Sequence, residues 1–270
     1  MKLEVNGAQT YAYTGSRKPV EGQPTIVFLH GAGLNHTVWT MQARYFAHHG
    51  CNVFVPDMPG HGNSDGPICA SIPDAADWVG DYLRALDCGP VLLAGHSMGS
   101  LVALESAARH PDLIHAVALV GTAVPMQVAD VLQNAADANE HAAYDMITIW
   151  GHSMDAQIGG GPHAPGMWLT GTSQRLLEQG GDGVLGNDLR ACNAYTDGME
   201  SAGQVKCPAL LIVGGLDMMT PPRVAKKLLG ALSDAKQIMV RASGHMLMAE
   251  QPDAVLDALI DFHQEQTAAA

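Results

Sequence analysis

The chain is poor in charged residues and has no long apolar run, and these absences exclude several classes of protein. Charged residues make up 15% of its 270 residues and apolar residues 47%, whereas disorder requires high charge and low hydrophobicity. No apolar stretch approaches the roughly 20 residues of a membrane-spanning helix, and no apolar run follows Lys2 as in a signal peptide. We therefore expect one large, soluble domain in the cytoplasm.

Basic residues are also scarce, and the cysteines form no pairing pattern. The chain has 14 Lys and Arg against 27 Asp and Glu, a net charge of −13, so its field repels a phosphate backbone and no nucleic-acid partner is expected. The five cysteines are odd in number and include no C-x-x-C pair. The sequence thus predicts free thiols, with neither a zinc site nor a disulfide framework.

Short apolar segments alternate with segments of helical periodicity. The apolar segments are typical of parallel strands buried on both faces, and they lie at 25–30, 52–56, 91–95, 115–121, 209–214 and 236–241. The helical patterns between them lie at 36–50, 72–88, 97–110, 221–232 and 248–266. This alternation predicts an α/β fold with a doubly wound, mostly parallel sheet. Segments 3–5 and 9–14 predict an antiparallel hairpin at its edge.

The alternation stops between residues 122 and 204, a stretch that we call the insertion. It contains no strand pattern, and its helical patterns lie at 128–150, 167–179 and 187–202. Glycine clusters at 159–161 and 180–183 separate the helical patterns. We predict a helical insertion between two strands of the sheet, and we expect the alanine-rich end at 268–270 to fray.

Gly95-His96-Ser97-Met98-Gly99 connects a predicted strand to a predicted helix, which is the position of a nucleophile elbow. The glycines relieve a turn in which Cβ atoms would collide, and the serine occupies a strained conformation. Its Oγ then projects at a helix N-terminus, where negative charge is favoured. Gly151-His152-Ser153-Met154 repeats four of these positions without the second glycine and after no strand, and we interpret it as a coincidence.

A serine nucleophile needs a general base and an acid that orients this base. Because sites in α/β sheets lie beyond the carboxyl ends of the strands, the candidates are Asp217, after 209–214, as the acid and His245, after 236–241, as the base. An Asp before a helix is often only an N-cap, and a loop histidine is often a surface residue. The chain order Ser97, Asp217, His245 favours catalytic roles for all three.

His30-Gly31-Ala32-Gly33 follows the strand at 25–30 and predicts half of an oxyanion hole. A glycine-rich turn lets a backbone N–H reach the reacting carbonyl oxygen, and the residue after the nucleophile, Met98, offers a second N–H. We choose Ala32 as the first donor, with Gly33 as the alternative. We expect His30 to brace the turn through hydrogen bonds.

Methionines flank the predicted catalytic residues and recur in the insertion. Because methionine is flexible, they favour an adaptable apolar pocket, although ordinary core packing explains the insertion methionines equally well. A substrate carboxylate would find few cations in the insertion, and Arg190 is the candidate partner, with a plain surface role as the alternative. The pocket candidates are Gly33, His96, Met126, Trp150, Trp168, Arg190, Met218 and Met246.

The chain resembles the α/β-hydrolase superfamily over nearly its whole length, because five short sequence segments match it in the same chain order. These segments lie at 30–39, 56–66, 95–100, 214–222 and 243–252. The resemblance implies an α/β-hydrolase core formed by 1–121 and 205–270, with 122–204 as a helical cap inserted after the sixth strand.

The resemblance implies the same triad, Ser97, Asp217 and His245, and the same oxyanion donors, Ala32 and Met98. It implies structural roles for Asp57, His61 and Ser64.

The resemblance also limits the classes of reaction that the chain is expected to catalyse. Haloalkane dehalogenases and epoxide hydrolases of this superfamily use Asp where this chain has Ser97. Meta-cleavage C–C hydrolases usually carry Asn before the nucleophile and Trp after the histidine, where this chain has His96 and Met246. The chain looks more like small carboxylesterases and enol-lactonases.

We therefore predict a serine hydrolase that cleaves a small ester or lactone through an acyl-enzyme, without a metal or organic cofactor. A C–C hydrolase, a receptor-like ligand-binding protein and a cofactor-free oxygenase are the alternatives. The substrate and the oligomeric state stay open.

Overall fold

The computed structural model describes residues 1–159 and 166–268, and an eight-stranded sheet forms its centre. The strands are β1 (Lys2–Val5), β2 (Ala8–Tyr13), β3 (Thr25–Leu29), β4 (Asn52–Pro56), β5 (Val91–His96), β6 (Ile114–Val120), β7 (Ala209–Gly214) and β8 (Ala235–Val240). Their order is β1-β2-β4-β3-β5-β6-β7-β8. Only the β1–β2 and β2–β4 pairings are antiparallel. The predicted mostly parallel sheet and its edge hairpin are confirmed, with each strand end within one residue of its prediction.

Helices cover both faces of the sheet because successive strand residues point to opposite sides. Val27 and Leu29 share an apolar core with α2 (Ile72–Leu86), α3 (Met98–Arg109) and α10 (Pro222–Ala231). Their neighbours Ile26 and Phe28 share another with α1 (Thr40–His48) and α12 (Pro252–Ala268). The predicted helix at 36–50 begins with a 3-10 turn, His36–Trp39, and the one at 248–266 is interrupted by Gln251 after α11 (Leu247–Glu250).

The described residues between β6 and β7 form helices and no strand. These helices are α4 (Asp130–Asp137), α5 (His141–Gly151), α6 (Met154–Gln157), α7 (Leu169–Glu178), α8 (Val184–Ala194) and α9 (Gly198–Gln204). The division into a core and a cap domain stays a prediction.

The helical patterns at 128–150 and 187–202 each contain two helices. Asn139, in a left-handed conformation with φ 53°, separates α4 from α5, and the extended Tyr195 ends α8. Of the predicted glycine cluster at 159–161, residues 160 and 161 lie outside the described residues. So do residues 269 and 270 of the end that we expected to fray. Within the described part of the chain, no helix has both the length and the apolar character that crossing a membrane requires.

Candidate functional site

Ser97 lies between β5 and α3 in a strained backbone conformation, with φ 53° and ψ −120°. The turn requires glycine on both sides, because a Cβ on Gly95 would strike the backbone of Gly99, and one on Gly99 would strike the carbonyl oxygen of His30. The Ser97 N–H donates to the Val120 carbonyl at 2.9 Å, which ties the turn to the neighbouring strand. Ser97 is partly exposed and lines a cavity of about 350 Å³.

His245 and Asp217 form a buried hydrogen-bonded pair at the carboxyl ends of β8 and β7. The His245 Nδ1–H donates to Asp217 Oδ2 at 2.8 Å. Asp217 also accepts the N–H groups of Met219 and Thr220 and the Thr220 hydroxyl, at 2.6 to 2.8 Å. Burial opposes the negative charge, but His245 and the Thr220 donors outweigh it and bring the pKa of Asp217 down to about 2. The carboxylate thus both orients the histidine and closes a turn.

The hydrogen bond at Nδ1 decides which nitrogen of His245 can act as a base. Because the Asp217 carboxylate only accepts, Nδ1 carries the proton of the neutral ring and Nε2 carries the lone pair. His245 Nε2 is buried and has no hydrogen-bond partner in the described residues. His245 lines the same cavity as Ser97. The cavity therefore contains a serine hydroxyl and an unoccupied basic nitrogen.

The backbone around His245 is held from two sides. His96 Nε2–H donates to the His245 carbonyl at 2.9 Å, and burial followed by the neighbouring His245 charge lowers the pKa of His96 to about 3, so His96 stays neutral. From the insertion, the Gly151 carbonyl accepts the N–H groups of His245 and Met246 at 2.8 and 3.0 Å. Gly121, with φ +59°, lies against the His245 ring, where a Cβ would be 3.2 Å from the ring.

Glu250 forms a second connection between the histidine loop and the insertion. Its buried carboxylate accepts the Gly244 N–H at 3.1 Å and the Ser153 N–H at 3.0 Å. The Ser153 Oγ accepts from the Ala156 N–H at 3.4 Å as the N-cap of α6. In the second GHSM sequence the serine therefore caps a helix that follows no strand, which agrees with the interpretation of this repeat as a coincidence.

The Gly33 N–H is already engaged, and this favours Ala32 of the two oxyanion donors predicted from the sequence. The Gly33 N–H donates to Asp188 Oδ2 at 2.9 Å. The Ala32 N–H has no acceptor in the described residues, and Ala32 lines the cavity. Met98 is the first residue of α3, so its N–H has no acceptor within the helix. Ala32 and Met98 therefore keep the two N–H groups that an oxyanion hole would use.

Asp188, on α8, joins the glycine turn to His61. The same Oδ2 atom accepts from His61 Nε2 at 2.8 Å, and His61 Nδ1 lies 3.0 Å from the Pro59 carbonyl oxygen. Because both ring nitrogens face acceptors, both must carry protons. Burial opposes the charge, yet Asp188 and the Pro59 carbonyl raise the pKa of His61. His61 and Asp188 thus form a buried ion pair between the core and the insertion.

The roles of the remaining family-block residues follow from their partners. His30 donates from Nδ1 to the Gly31 carbonyl at 2.9 Å and accepts the Met58 N–H at Nε2 at 3.0 Å, so it braces the turn. Asp57 is buried and accepts the His36 and Asn63 N–H groups at 2.7 and 2.9 Å. The carboxylate of Asp57 thus stabilises the loops after β3 and β4.

Five of the eight predicted pocket residues line the cavity: His96, Met126, Trp150, Met218 and Met246. The other three do not. Gly33 packs beside Leu177 and Leu185, and the Trp168 residue is 74% exposed. The exposed guanidinium of Arg190 pairs with Asp137 at 2.6 Å, which favours the plain surface role that the sequence offered as the alternative.

Most of the cavity-lining residues that the insertion supplies were not predicted from the sequence. Leu132, Ile147, Leu177 and Leu189 are apolar lining residues, and His152 and Ser173 are polar ones. Helical periodicity marks such leucines as buried but does not tell a cavity wall from a core. No Lys, Arg, Asp or Glu lines the cavity in the part of the chain that the structure describes. Among all residues that the structure describes, no group of three or more His, Cys, Asp or Glu side chains could hold a metal ion.

Comparisons with known proteins place similar chains among hydrolases. Residues 24–252 match the family model described as alpha/beta hydrolase fold. The chain is 28% identical over 253 residues to the (E)-2-((N-methylformamido)methylene)succinate hydrolase of Acinetobacter baylyi, covering 88% of this chain and 89% of that protein. It is 33% identical over 227 residues to the pimeloyl-(acyl-carrier protein) methyl ester esterase of Chromobacterium violaceum, covering 78% and 83%.

Solved structures share the fold as well. The enol-lactonase from Burkholderia xenovorans superposes with a TM-score of 0.85 and 24% identity, covering 98% of this chain and 100% of that one. At this identity the likeness shows a common fold.

Proposed function

Because the chain belongs to the alpha/beta hydrolase fold family, we propose that it is a serine hydrolase that cleaves a small carboxylic ester or lactone through an acyl-enzyme. One observation carries the proposal. The buried His245–Asp217 pair leaves His245 Nε2 without a partner among the residues that the structure describes, in a cavity that Ser97 lines from a strained turn. A strained serine and an oriented imidazole that line one cavity are the elements of nucleophilic catalysis.

In the proposed reaction, Ser97 Oγ attacks the substrate carbonyl while His245 Nε2 takes the hydroxyl proton. Asp217 keeps the imidazole in the required tautomer and stabilises the imidazolium that forms. The N–H groups of Ala32 and Met98 donate to the oxyanion. His245 then gives the proton to the leaving alcohol, and water attacks the acyl-enzyme by the same route.

We further propose that the insertion, 122–204, acts as a cap over this reaction. Its helices supply apolar side chains of the cavity, such as Leu132, Ile147 and Leu189. The absence of charged lining residues in the described chain favours an uncharged substrate. A meta-cleavage substrate carrying a carboxylate would meet no cation there, which favours an ester or lactone over the C–C alternative.

The test is hydrolysis of p-nitrophenyl esters from acetate to decanoate, and of simple lactones, by wild type, Ser97→Ala and Ser153→Ala. Ser97→Ala should lower kcat by about 10⁴- to 10⁶-fold, on the precedent of serine triads. Ser153→Ala removes the other GHSM serine and should keep the activity. Substantial turnover by Ser97→Ala would overturn the proposal, and a receptor-like protein would show no Ser97-dependent turnover at all.

A further inference from the structure

The cavity contains one polar pair that the proposed reaction does not use. His152, after α5, and Ser173, on α7, both line it and are 2% and 6% exposed. Ser173 Oγ lies 3.2 Å from His152 Nε2, and His152 Nδ1 lies 2.8 Å from the Thr148 carbonyl oxygen. Two elements of the insertion thus present a hydrogen-bonded pair to the cavity, and the other described lining residues of the insertion are apolar except Gln127.

The hydrogen-bond partners of His152 and Ser173 determine which of their atoms carry hydrogens. A carbonyl oxygen only accepts, so His152 Nδ1 carries a proton. Burial lowers the pKa of His152, and the His245 charge acts in the same direction, against the Thr148 carbonyl and Glu250, which raise it. The ring is therefore neutral at pH 7, and its Nε2 accepts the hydroxyl proton of Ser173. Ser173 Oγ has then used its only hydrogen but still has lone pairs to accept a further donor.

The chemistry of the wall limits what this acceptor can bind. A carboxylate would meet oxygen lone pairs and, among the described lining residues, no cation. A purely apolar group would leave the Ser173 lone pairs unpaired in a buried place, which costs free energy. A neutral hydroxyl or amide N–H supplies the missing donor without bringing a charge.

We propose that Ser173, oriented by His152, is an acceptor subsite for a hydroxyl or amide N–H group on the non-reacting part of the substrate. The proposal rests on the proposed function and specifies its substrate class. This class consists of neutral esters or lactones whose acyl or alcohol part carries a hydrogen-bond donor. Ser173 is in this account a specificity-determining residue, and His152 is a positioning residue.

The experiment uses matched p-nitrophenyl esters with acyl chains of six to ten carbons that end in methyl, methoxy or hydroxyl groups. The measured quantity is the ratio of kcat/KM for the hydroxyl-terminated ester to that for the methyl-terminated ester. In Ser173→Ala this ratio should fall about fivefold at the best chain length, the effect of one hydrogen bond. The methoxy-to-methyl ratio should not change, since a methoxy group has no hydrogen to donate.

Thr172→Ala is the control, because Thr172 is the neighbouring hydroxyl residue on α7, is exposed, and donates to the Trp168 carbonyl instead. It should leave both ratios at the wild-type value. His152→Leu provides a second signature. It frees the Ser173 hydroxyl hydrogen, so the methoxy-to-methyl ratio should rise.

An unchanged hydroxyl-to-methyl ratio in Ser173→Ala at every chain length would overturn the subsite and leave the proposed function intact. No Ser97-dependent hydrolysis of any ester would overturn the proposed function. Calorimetric binding of 9-hydroxynonan-2-one and decan-2-one, which differ only in a terminal hydroxyl or methyl group and carry no N–H, then tests the subsite without turnover. Ser173→Ala should weaken binding of the hydroxyl compound alone, and equal weakening of both, or of neither, would overturn the subsite.

Discussion

The hydrogen-bond partners of single residues in the site determine which of their atoms carry protons. Asp217 accepts bonds from His245, Met219 and Thr220, which holds it charged and holds the His245 proton on Nδ1. The same reasoning makes His61 a cation, because both of its nitrogens face acceptors. Such assignments decide which atoms can act as base or donor in the proposed reaction.

Replacing Asp217 with Asn keeps the shape of the side chain but removes its negative charge and its control over the His245 tautomer. The amide cannot stabilise an imidazolium, and it can donate to Nδ1, which would move the ring proton to Nε2, where a base needs a lone pair. We expect kcat for p-nitrophenyl esters to fall about 10⁴-fold, as in other triads, with a small change in KM. Steady-state kinetics on folded protein measure this. A loss of less than tenfold would contradict the role assigned to Asp217.

These residues could be predicted only where the signal is local in the chain. The Ser97 turn is contained in five consecutive residues, and Asp217 and His245 each follow a recognisable strand. Asp188, Glu250 and His152 act through contacts with residues far away in the chain, such as Asp188 with Gly33. A buried Asp within a helical pattern looks like any surface Asp until its partner is known.

At the scale of whole elements, α8 and the loops after β3 and β4 meet at one carboxylate. Asp188 on α8 accepts from Gly33, next to the proposed oxyanion donor Ala32, and from His61. The position of the glycine turn is therefore coupled to the position of an insertion helix.

Asp188→Asn should damage both stability and turnover. The amide cannot balance the His61 charge, and breaking one side of a buried ion pair costs about 3–5 kcal/mol of unfolding free energy. The loosened turn should lower kcat more than it changes KM. Urea unfolding and steady-state kinetics measure the two effects.

The matched control is Asp137→Asn, which makes the same substitution in the exposed Arg190–Asp137 pair. Exposed pairs contribute at most about 1 kcal/mol, so stability should change little and activity should stay at the wild-type level. Equal behaviour of the two variants would refute the role given to Asp188.

Strands were easier to predict than the helices of the insertion, for a physical reason. A parallel strand covered on both faces is a short, continuous apolar run, and its ends are visible in the sequence. The apolar periodicity of α4 continues into α5, and the single left-handed residue Asn139 that separates them leaves it unbroken. The division between the insertion helices depends on tertiary contacts.

At the scale of the whole molecule, buried neutral histidines link stability to pH. Burial, with the neighbouring His61 charge, lowers the pKa of His30 to about 4, and burial lowers that of His96 to about 3, against about 6.5 in the unfolded chain. Between pH 6.5 and 4 the unfolded state therefore binds more protons, so stability is lost as pH falls. The raised pKa of His61 has the opposite effect, since its contribution is full below about pH 6.5 and is lost as pH rises.

At pH 5.5, His30 and His96 should each contribute about 1.4 kcal/mol less to stability than at pH 7.5, and the raised pKa of His61 offsets part of this loss. We therefore expect the free energy of unfolding in urea to be about 2 to 3 kcal/mol lower at pH 5.5 than at pH 7.5. His96→Gln keeps a donor for the His245 carbonyl and should remove about half of this pH dependence. Equal or greater stability of the wild type at pH 5.5 would show that these rings charge in the folded state.

The proposed function depends on Ser97 as the nucleophile, and covalent labelling identifies the nucleophilic serine. Wild type, Ser97→Ala and Ser153→Ala would each be treated with an alkyl fluorophosphonate. Intact-protein mass spectrometry counts the adducts, and sequencing of the labelled peptides identifies the modified serine. We expect one adduct, on Ser97, which is absent from Ser97→Ala and present in Ser153→Ala and which forms in step with the loss of ester hydrolysis. An adduct on another serine, or hydrolysis that persists after complete labelling of Ser97, would contradict the proposed role of Ser97.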